Sequence, residues 1–246
     1  MTHHSSRVTE FMRVTIHQPQ FLPWLGYLDK IDQADLFIAL DSVQFKKNEW
    51  QNRNRIRTAD GTQWITVPVL HHFGQLVSDV RINRTVAWRE QHLRAIEMHY
   101  TRAPFRDRYL PELRSLYEIP WERLHDLNMA VIRWLLGAFG ITTPVRCASE
   151  WQAREEPTDR LIDLCHAAGA TEYLSGPGGE RYLDIARFQS SGLVLEMQQF
   201  QHPLYRQAYE PFMPAMAAID LLFCCGPEAL TRLREARAGQ KVVTAA

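Results

Sequence analysis

The 246-residue sequence lacks long apolar runs and an excess of charge of either sign. No run reaches the roughly 18 apolar residues that a membrane-spanning helix needs, so we expect no membrane span. The 28 basic and 28 acidic side chains leave a formal net charge of zero, which excludes the overall basic surface typical of nucleic-acid binding. Residues 1–13 contain no apolar signal-peptide core, and we expect them to form a disordered tail.

Cysteine is scarce, and no C-x-x-C spacing occurs among the four that are present, Cys147, Cys165, Cys224 and Cys225. This pattern predicts free thiols in a reducing, cytoplasmic compartment rather than a disulfide framework. The sequence also lacks an H-E-x-x-H motif, and the adjacent His71 and His72 would point to opposite faces of a strand. We therefore predict no metal site and no bound cofactor.

Short apolar runs separated by helical patterns predict an α/β fold with a mostly parallel sheet and flanking helices. Val14–Ile16 is a β-branched run, Leu25–Ile31 has helical spacing, and Leu36–Leu40 is continuously apolar. Strand, helix and strand within this length form a βαβ unit. Asp60 and Gly61 predict the turn of a small β-hairpin between about 56 and 69.

Helical spacing dominates the middle of the chain, and we predict a helical insert at about residues 86–140. Beyond it, helices and strands alternate again, with predicted strands at 172–174 and 193–197. Predicted helices in this part span 157–168, 181–188, 213–225 and 228–238. Because the sequence contains no low-complexity linker, residues 14–240 are expected to form a single domain.

The segment after the first predicted strand contains the first group of candidate site residues. Ligands of open α/β sheets bind beyond the carboxyl ends of the strands, where His17 would lie. The accompanying candidates are Gln18, Gln20, Trp24 and Tyr27. The dinucleotide motif G-x-G-x-x-G is absent, so a Rossmann cofactor site is unsupported. The alternative is that His17 caps the sheet and Trp24 fills the core.

A second group follows the second predicted strand, where Asp41 is placed to bind a ribose hydroxyl, a metal or an amine. Residues 42–57 contain five basic side chains against one acidic side chain. Amide and guanidinium groups there suit phosphate or carboxylate recognition. The binding candidates are Gln44, Asn52 and Arg53, and the alternative is a solvated surface loop.

Two further groups lie after the later strands. Ser175, Gly176, Gly178 and Gly179 belong to a glycine-rich turn whose backbone N–H groups suit an anion, although it matches neither a P-loop nor a G-x-S-x-G elbow. The alternative is a plain tight turn. In the last group, His202 is an acid/base candidate, accompanied by Tyr205 and Gln207. Asp220, in an apolar segment, is expected to have a structural role.

Five strings of the sequence resemble the WbqC-like family. They are IHQPQFLPWLGYLDKI, FIALDSVQFKKNEWQNRNRI, YLSGPGGERYLD, FQHPLYRQ and AIDLLFCCGPE, and they extend from about Val14 to Glu228. That family occurs in bacterial gene sets for O-antigen, other surface polysaccharides and some small-molecule products. The resemblance implies that the four groups form one site, and it adds Lys30 to them.

The leading hypothesis is a transferase that modifies a small polar, anionic substrate in polysaccharide or natural-product biosynthesis. The best match is acyl or aminoacyl transfer to an amino group of a sugar or sugar nucleotide, from an activated donor that a tRNA could also supply. His17 would be the general base, His202 a second acid/base, and Asp41 an orienting group. Phosphate or carboxylate would be held by Lys30, Arg53 and the 176–179 turn. The alternatives are a nucleotidyl-transferring enzyme and a non-catalytic binding or scaffold protein.

Overall fold

The computed structural model describes residues 11–243. The first ten residues of the predicted disordered tail lie outside this range. The tail prediction extends too far, because Arg13 is the first residue of a strand and forms an ion pair with Glu172 on the neighbouring strand. In the part of the chain that the structure describes, no helix is long and apolar enough to cross a bilayer.

A five-stranded, entirely parallel sheet forms the centre of the fold, in the order β7-β2-β1-β8-β9. Its strands are β1 (Arg13–His17), β2 (Leu36–Ala39), β7 (Val145–Cys147), β8 (Glu172–Ser175) and β9 (Val194–Met197). This arrangement confirms the predicted α/β class. Because β1 is central, the residue that follows it has strand ends on both sides.

A small antiparallel hairpin, also predicted, joins β3 (Arg53–Thr58) to β4 (Gly61–Thr66). The two turn residues are Ala59 and Asp60, one position earlier than expected, and Gly61, which pairs with Thr58, has a φ of 135° that few other residues tolerate. Strand β3 begins three residues before the predicted start at Ile56. Its alternation was hidden because the buried position is taken by a polar residue, Asn54. Two shorter strands, β5 (Val69–Leu70) and β6 (Arg81–Ile82), also pair antiparallel.

Eight α-helices accompany the sheets within residues 11–243. They are α1 (Leu25–Asp32), α2 (Trp88–His99), α3 (Arg106–Glu118), α4 (Leu124–Phe139), α5 (Pro157–Ala167), α6 (Ile185–Ser190), α7 (Ile219–Cys225) and α8 (Ala229–Val243). Three of them, α2 to α4, form the predicted helical insert. The predicted helix 181–188 instead begins at Ile185, where the Asp184 side chain accepts from the amide of Arg187.

The predicted buried helix 213–225 is shorter than expected and is confined to α7. Ala215 has a φ of 60°, outside the right-handed helical region, and Pro214 precedes it. Ala217 pairs with Trp24 in an isolated β-bridge. The apolar residues before α7 are therefore buried as extended chain against the segment that follows β1.

Side chains of β2 alternate between two hydrophobic clusters, one on each face of the sheet. Phe37 and Ala39 join the larger cluster with α1, α4 and α7, whereas Leu36 and Ile38 join the smaller one with α5 and α6. Both faces are thus covered by helices. Loops extend from the carboxyl edge of the sheet, the edge at which open α/β sheets generally bind ligands.

Candidate active site

A cavity of about 340 Å³ opens at the carboxyl edge of the sheet. Three strand ends border it: His17 ends β1, Gly176 follows β8, and Gln198 follows β9. The residues that line it are His17, Gln20, Trp24, Gly26, Tyr27, Lys30, Trp50, Gly176, Pro177, Gly178, Gln198 and Ala215. Its volume falls in the range of small-molecule sites, about 300–1,000 Å³.

His17 and Lys30 are two nitrogen bases on this wall. Burial, and to a smaller extent the nearby charge of Lys30, lower the pKa of His17 to about 3. The His17 Nδ1 lies 3.1 Å from the carbonyl oxygen of Gln18. Since that oxygen only accepts, the neutral ring donates from Nδ1 and leaves Nε2 as an acceptor. His17 is therefore an uncharged hydrogen-bonding group at neutral pH.

Lys30 is almost completely buried, and its ammonium group donates to the carbonyl oxygen of Ile16 at 3.2 Å. Burial lowers the pKa of Lys30 to about 7, since removal from water disfavours the charged form. The side chain is thus close to half protonated at neutral pH. A β-carbon added at Gly176 would lie 3.8 Å from Lys30 Nζ, which shows how closely the glycine turn approaches the amine.

Tyr27 and Gln20 supply the other polar groups of the wall. The Tyr27 hydroxyl donates to the Gln18 carbonyl at 3.2 Å, and its ring meets His17 edge-on with centroids 5.1 Å apart. Among the described residues, nothing donates to the buried Oε1 of Gln20. A buried amide oxygen without a donor is costly, and a ligand N–H or O–H group would satisfy it.

Helix α1 is fixed in place from the β9 side. Gln198 Nε2 donates to the Gly26 carbonyl at 2.9 Å and to Asp29 Oδ2 at 2.7 Å. Gly26 is required next to Trp24, because a β-carbon there would overlap the Trp24 ring. The indole in turn packs edge-on against Phe200, with centroids 5.0 Å apart.

The glycine-rich turn has the predicted position, although Ser175 and Gly179 do not line the cavity. The Ser175 hydroxyl is buried and donates to the Gly176 carbonyl at 3.1 Å. Gly179 is needed because a β-carbon would collide with the Ser175 hydroxyl. Its amide bonds to the Gly176 carbonyl at 2.9 Å, so it is already used within the turn.

The second predicted group is dispersed. Asp41 is bonded to Ser149, whose amide and hydroxyl donate to its two carboxylate oxygens at 2.9 and 2.7 Å. Asn52 is buried and holds its own loop, because its Nδ2 donates to the Val67 carbonyl at 3.1 Å. Gln44 is exposed, and its backbone forms an isolated antiparallel β-bridge with Leu76. Asp41, Gln44 and Asn52 do not line the cavity of His17.

Arg53 reaches the cavity indirectly, through two aromatic rings. Its guanidinium lies 4.3 Å from the centre of the Trp64 ring, and Arg55 lies over the same ring at 5.5 Å. Trp64 contacts the cavity residue Trp50, with centroids 5.7 Å apart. Arg57, by contrast, is buried and donates to backbone carbonyls, so the positive surface is smaller than the sequence indicates.

The group around His202 lies behind the cavity. Phe200, which packs on Trp24, also meets His202 edge-on, with centroids 5.9 Å apart. Burial lowers the pKa of His202, and its buried Nε2 has no hydrogen-bond partner among the described residues. Asp220 has the structural role expected of it. It accepts from the Tyr205 hydroxyl at 2.6 Å and from Gln207 Nε2 at 2.8 Å, and burial raises its pKa.

Four of the lining residues were not candidates from the sequence, namely Gly26, Trp50, Gln198 and Ala215, and Pro177 was included only as part of the 176–179 turn. Gln198 directly follows a predicted strand, as His17 does, so the strand-end rule could have found it. Trp50 and Ala215 follow no strand, and only the folded chain brings them to this edge.

The fold is that of an α/β protein with a cavity of small-molecule size at the carboxyl edge of a parallel sheet. The model of the WbqC-like protein family matches residues 18–232. The chain is also 36% identical over 231 residues, 92% of its own length and 99% of the relative's, to the uncharacterized protein Rv1507c of Mycobacterium tuberculosis. No solved structure matches the chain. The chain belongs to the WbqC-like protein family.

Proposed function

We propose that the protein is a transferase that acylates or aminoacylates an amino group of a small anionic substrate, such as a sugar nucleotide. The proposal rests on one observation: a buried lysine and a neutral histidine share a small-molecule cavity at the carboxyl edge of the sheet. The pathway would be bacterial polysaccharide or natural-product biosynthesis, as the family resemblance implies.

Lys30 suits proton transfer at neutral pH better than His17. A general base works best when its pKa is close to the working pH, and the pKa of Lys30 is about 7. His17, with a pKa of about 3, is too weak a base to keep a proton. In the proposed reaction, the Nε2 of His17 accepts a hydrogen bond from the substrate amine and orients it. Lys30 replaces His17 as the proton acceptor.

The proposed step exchanges one bond to the acyl carbon for another. The amine nitrogen of the substrate forms a bond to the acyl carbon, and the bond from that carbon to the leaving group of the donor breaks. The proton lost by the amine moves to the neutral Lys30 Nζ and then to the leaving group. The amide oxygen of Gln20, which has no donor among the described residues, would accept a hydrogen bond from another N–H or O–H group of the substrate, so that one N–H of the amine is held by His17 and the other faces Lys30.

Two features favour an anionic substrate or donor. Lys30 lies next to the glycine turn at Gly176, so a phosphate or carboxylate there would meet backbone N–H groups and, once Lys30 has taken up the proton of the amine, a cation. Outside the cavity, Arg53 lies over the Trp64 ring, which contacts the wall residue Trp50. A flat, positive surface of this kind suits a nucleotide or the end of a tRNA-borne donor.

We place this reaction in the cytoplasm. All four cysteines are free thiols, two of them buried, which fits a reducing compartment. In this proposal His202 supports the cavity wall rather than acting on the substrate, because its ring packs on Phe200, which in turn packs on the wall residue Trp24.

The test is an incubation of the purified protein with aminated sugar nucleotides and a panel of acyl and aminoacyl donors, read by mass spectrometry. The expected product is heavier by one acyl group. Replacing Lys30 with Met should lower the rate by about 100-fold or more, the usual contribution of a positioned acid/base group. The wild-type rate should rise with pH through about 7, as Lys30 loses its proton.

The matched control is Lys47→Met, which removes an exposed lysine and should leave the rate unchanged. His17→Asn keeps a hydrogen-bonding side chain and should lose less activity than His17→Ala. A Lys30→Met protein with the wild-type rate would show that Lys30 is not the base. Tight binding of sugar nucleotides without any product would instead indicate a binding protein.

A further inference from the structure

A second group of reactive side chains lies at the same edge of the sheet, on the β7 side. Asp41 follows β2, Cys147 is the last residue of β7, and His125 lies in the first turn of α4. In the sheet register, His17 is level with Ala39, and Ala39 is level with Cys147. Two strand spacings, roughly 10 Å, therefore separate the backbone of this group from that of His17.

Three different ligand atoms converge in this group. Oδ2 of Asp41 lies 3.6 Å from Nε2 of His125, and Sγ of Cys147 lies 3.8 Å from the same nitrogen. One carboxylate, one imidazole and one thiol atom all lie within 4.8 Å of one another. Metal–ligand lengths of about 2.0–2.3 Å in a tetrahedral zinc site place ligand atoms about 3.4–3.6 Å apart. The two distances to His125 Nε2 differ from that by at most a few tenths of an ångström, and the carboxylate and the thiol lie within 4.8 Å of each other.

Each of the three side chains is oriented by a neighbour. Ser149 donates twice to the Asp41 carboxylate. The other ring nitrogen of His125, Nδ1, lies 3.1 Å from the carboxylate of Asp126, which fixes it as the N–H donor and leaves Nε2 as an acceptor. The backbone amide of Glu150 donates to the sulfur of Cys147. Such outer contacts are typical of protein metal sites.

We propose that Asp41, His125 and Cys147 bind a divalent transition-metal ion, with Zn²⁺ as the best match. A thiol, an imidazole and a carboxylate are the ligands that Zn²⁺ takes, whereas Ca²⁺ and Mg²⁺ require oxygen ligands. A cation between the three groups would also compensate the buried negative charge of Asp41. On binding, Cys147 loses its thiol proton to the solvent, and the metal–sulfur bond replaces the S–H bond.

Access and coordination number distinguish this site from a closed structural zinc site. Asp41 is buried, but the side chain of His125 is 16% exposed and Cys147 is only half-buried, so an ion has a path from solvent. Three protein ligands leave a fourth tetrahedral position for water or a substrate atom, as in catalytic zinc sites. The ligand class implied at that position is a small oxygen or nitrogen donor.

The same three residues allow one competing interpretation. Cys147, His125 and Asp126 are also arranged as nucleophile, base and orienting carboxylate. Asp41 argues against it, because a buried carboxylate beside the thiol opposes formation of the thiolate that a nucleophile needs. In a metal site, by contrast, Asp41 is itself a ligand. Metal titration distinguishes a metal site from a nucleophilic cysteine.

The test is a titration of the chelator-treated full-length protein with Co²⁺, followed by competition with Zn²⁺. The expected result is binding of one equivalent with intense tetrahedral absorption bands and a sulfur-to-cobalt charge-transfer band in the near ultraviolet. Zn²⁺ should displace the colour at one equivalent. Cys147→Ser should abolish the charge-transfer band, and Asp126→Asn should weaken affinity by about 10- to 100-fold through loss of the outer contact.

The matched control is Cys225→Ser, which removes another half-buried free thiol and should leave the spectrum and the stoichiometry unchanged. Circular dichroism of each variant without metal shows whether the fold is intact. An unchanged charge-transfer band in Cys147→Ser, or no binding at one equivalent by the wild type, would overturn the proposal. Rapid alkylation of Cys147 at neutral pH in the absence of such binding would support the nucleophile instead. Because the readout is spectroscopic, it is independent of any transferase activity at Lys30.

Discussion

Lys30 is a cationic side chain held in an environment that disfavours its charge. It is 2% exposed on α1, and its ammonium bonds to the Ile16 carbonyl at the end of β1. The lowered pKa that follows from burial makes it useful as a base, but the same burial costs folding free energy. Activity and stability should therefore depend on this one residue in opposite directions.

The pH dependence of unfolding tests this cost. The folded-state pKa of Lys30 is about 7 and the ordinary value is 10.5, so the unfolded chain binds more protons between those values. The contribution of Lys30 to the free energy of unfolding should therefore rise with pH across that window, by at most about 1.4 kcal/mol per pH unit. Lys30→Met should lose this rise and be more stable than wild type at pH 7. Urea unfolding of both proteins from pH 7 to 10 measures the difference.

Lys47→Met is the control for that comparison, because Lys47 is exposed. The wild-type and Lys47→Met proteins should show parallel curves of stability against pH. If the difference between wild type and Lys30→Met were constant over the same range, Lys30 would not titrate near neutrality in the folded protein.

At the scale of the element, α1 determines the shape of the cavity. Its first turn contains Gly26, and the Trp24 ring lies where any β-carbon of that residue would be. Gln198 holds the same turn through the Gly26 carbonyl. A glycine normally weakens a helix, so its presence here reflects the need for space beside the indole rather than helix formation.

Gly26→Ala should therefore displace Trp24 and impair the cavity despite the better helix propensity of alanine. We expect a stability loss of about 1–3 kcal/mol, the usual range for overpacking, together with weaker ligand binding. The matched control is Gly137→Ala in α4, where a β-carbon meets no atom within 4 Å. That change should stabilise the protein by about 0.5–1 kcal/mol. Thermal unfolding of both variants measures the contrast, and a stabilised Gly26→Ala protein would contradict it.

At the scale of the whole molecule, the last helix secures the first one. Arg237 of α8 forms ion pairs with Asp29 and Asp32 of α1 at 3.0 and 2.9 Å. Asp29 is buried and also accepts from Gln198, so β9, α1 and α8 meet at one carboxylate. The cavity wall that α1 provides thus depends on residues more than 200 positions away in the chain.

Arg237→Met should leave Asp29 buried without its cation. Removing one partner of a largely buried pair costs about 3–5 kcal/mol, and we expect a value toward the lower end because Gln198 still bonds to the carboxylate. The control is Arg232→Met in the same helix, whose ion pair with Glu228 is exposed and should contribute less than about 1 kcal/mol. Urea unfolding at pH 7 compares them. Equal losses in the two variants would show that the pair with Asp29 is not important for docking α8.

Local patterns were sufficient to locate the first two strands and the hairpin turn. The β-branched run of β1 and the apolar run of β2 lie where predicted, and the hairpin turn lies one position before the predicted one. Four of the five residues in the first candidate group line one cavity, because the loop that follows a central strand lies at the carboxyl edge of the sheet; their role in binding stays a prediction. The predicted start of β3 was wrong because its first buried side chain, Asn54, is polar and so does not show the apolar alternation of a strand. Asn54 can be buried there because its Nδ2 donates to the Leu22 carbonyl.

The second candidate group does not line the same cavity as the first, and a single sequence gives no information on the cause. Asp41 follows β2, the direct neighbour of β1, yet its carboxylate bonds to Ser149 after β7. The direction in which a side chain leaves a strand end depends on the loop that follows, and that loop is fixed by partners far along the chain. For the same reason, the sequence predicts no metal site, although it contains all three ligands that we propose.

The sequence by itself determined the fold class, the hairpin turn, the helical insert and the edge of the sheet where the proposed ligand site lies, because these follow from local periodicity, turn chemistry and the direction of parallel strands. The tertiary structure decided the chemistry of that edge. The pKa values of Lys30 and His17 arise from burial by segments distant in sequence. The wall is closed by Trp50 and Gln198, and Cys147 meets His125 only when β7 packs beside α4. Removal from water and contact between distant residues are properties of the folded chain, so no local pattern encodes them.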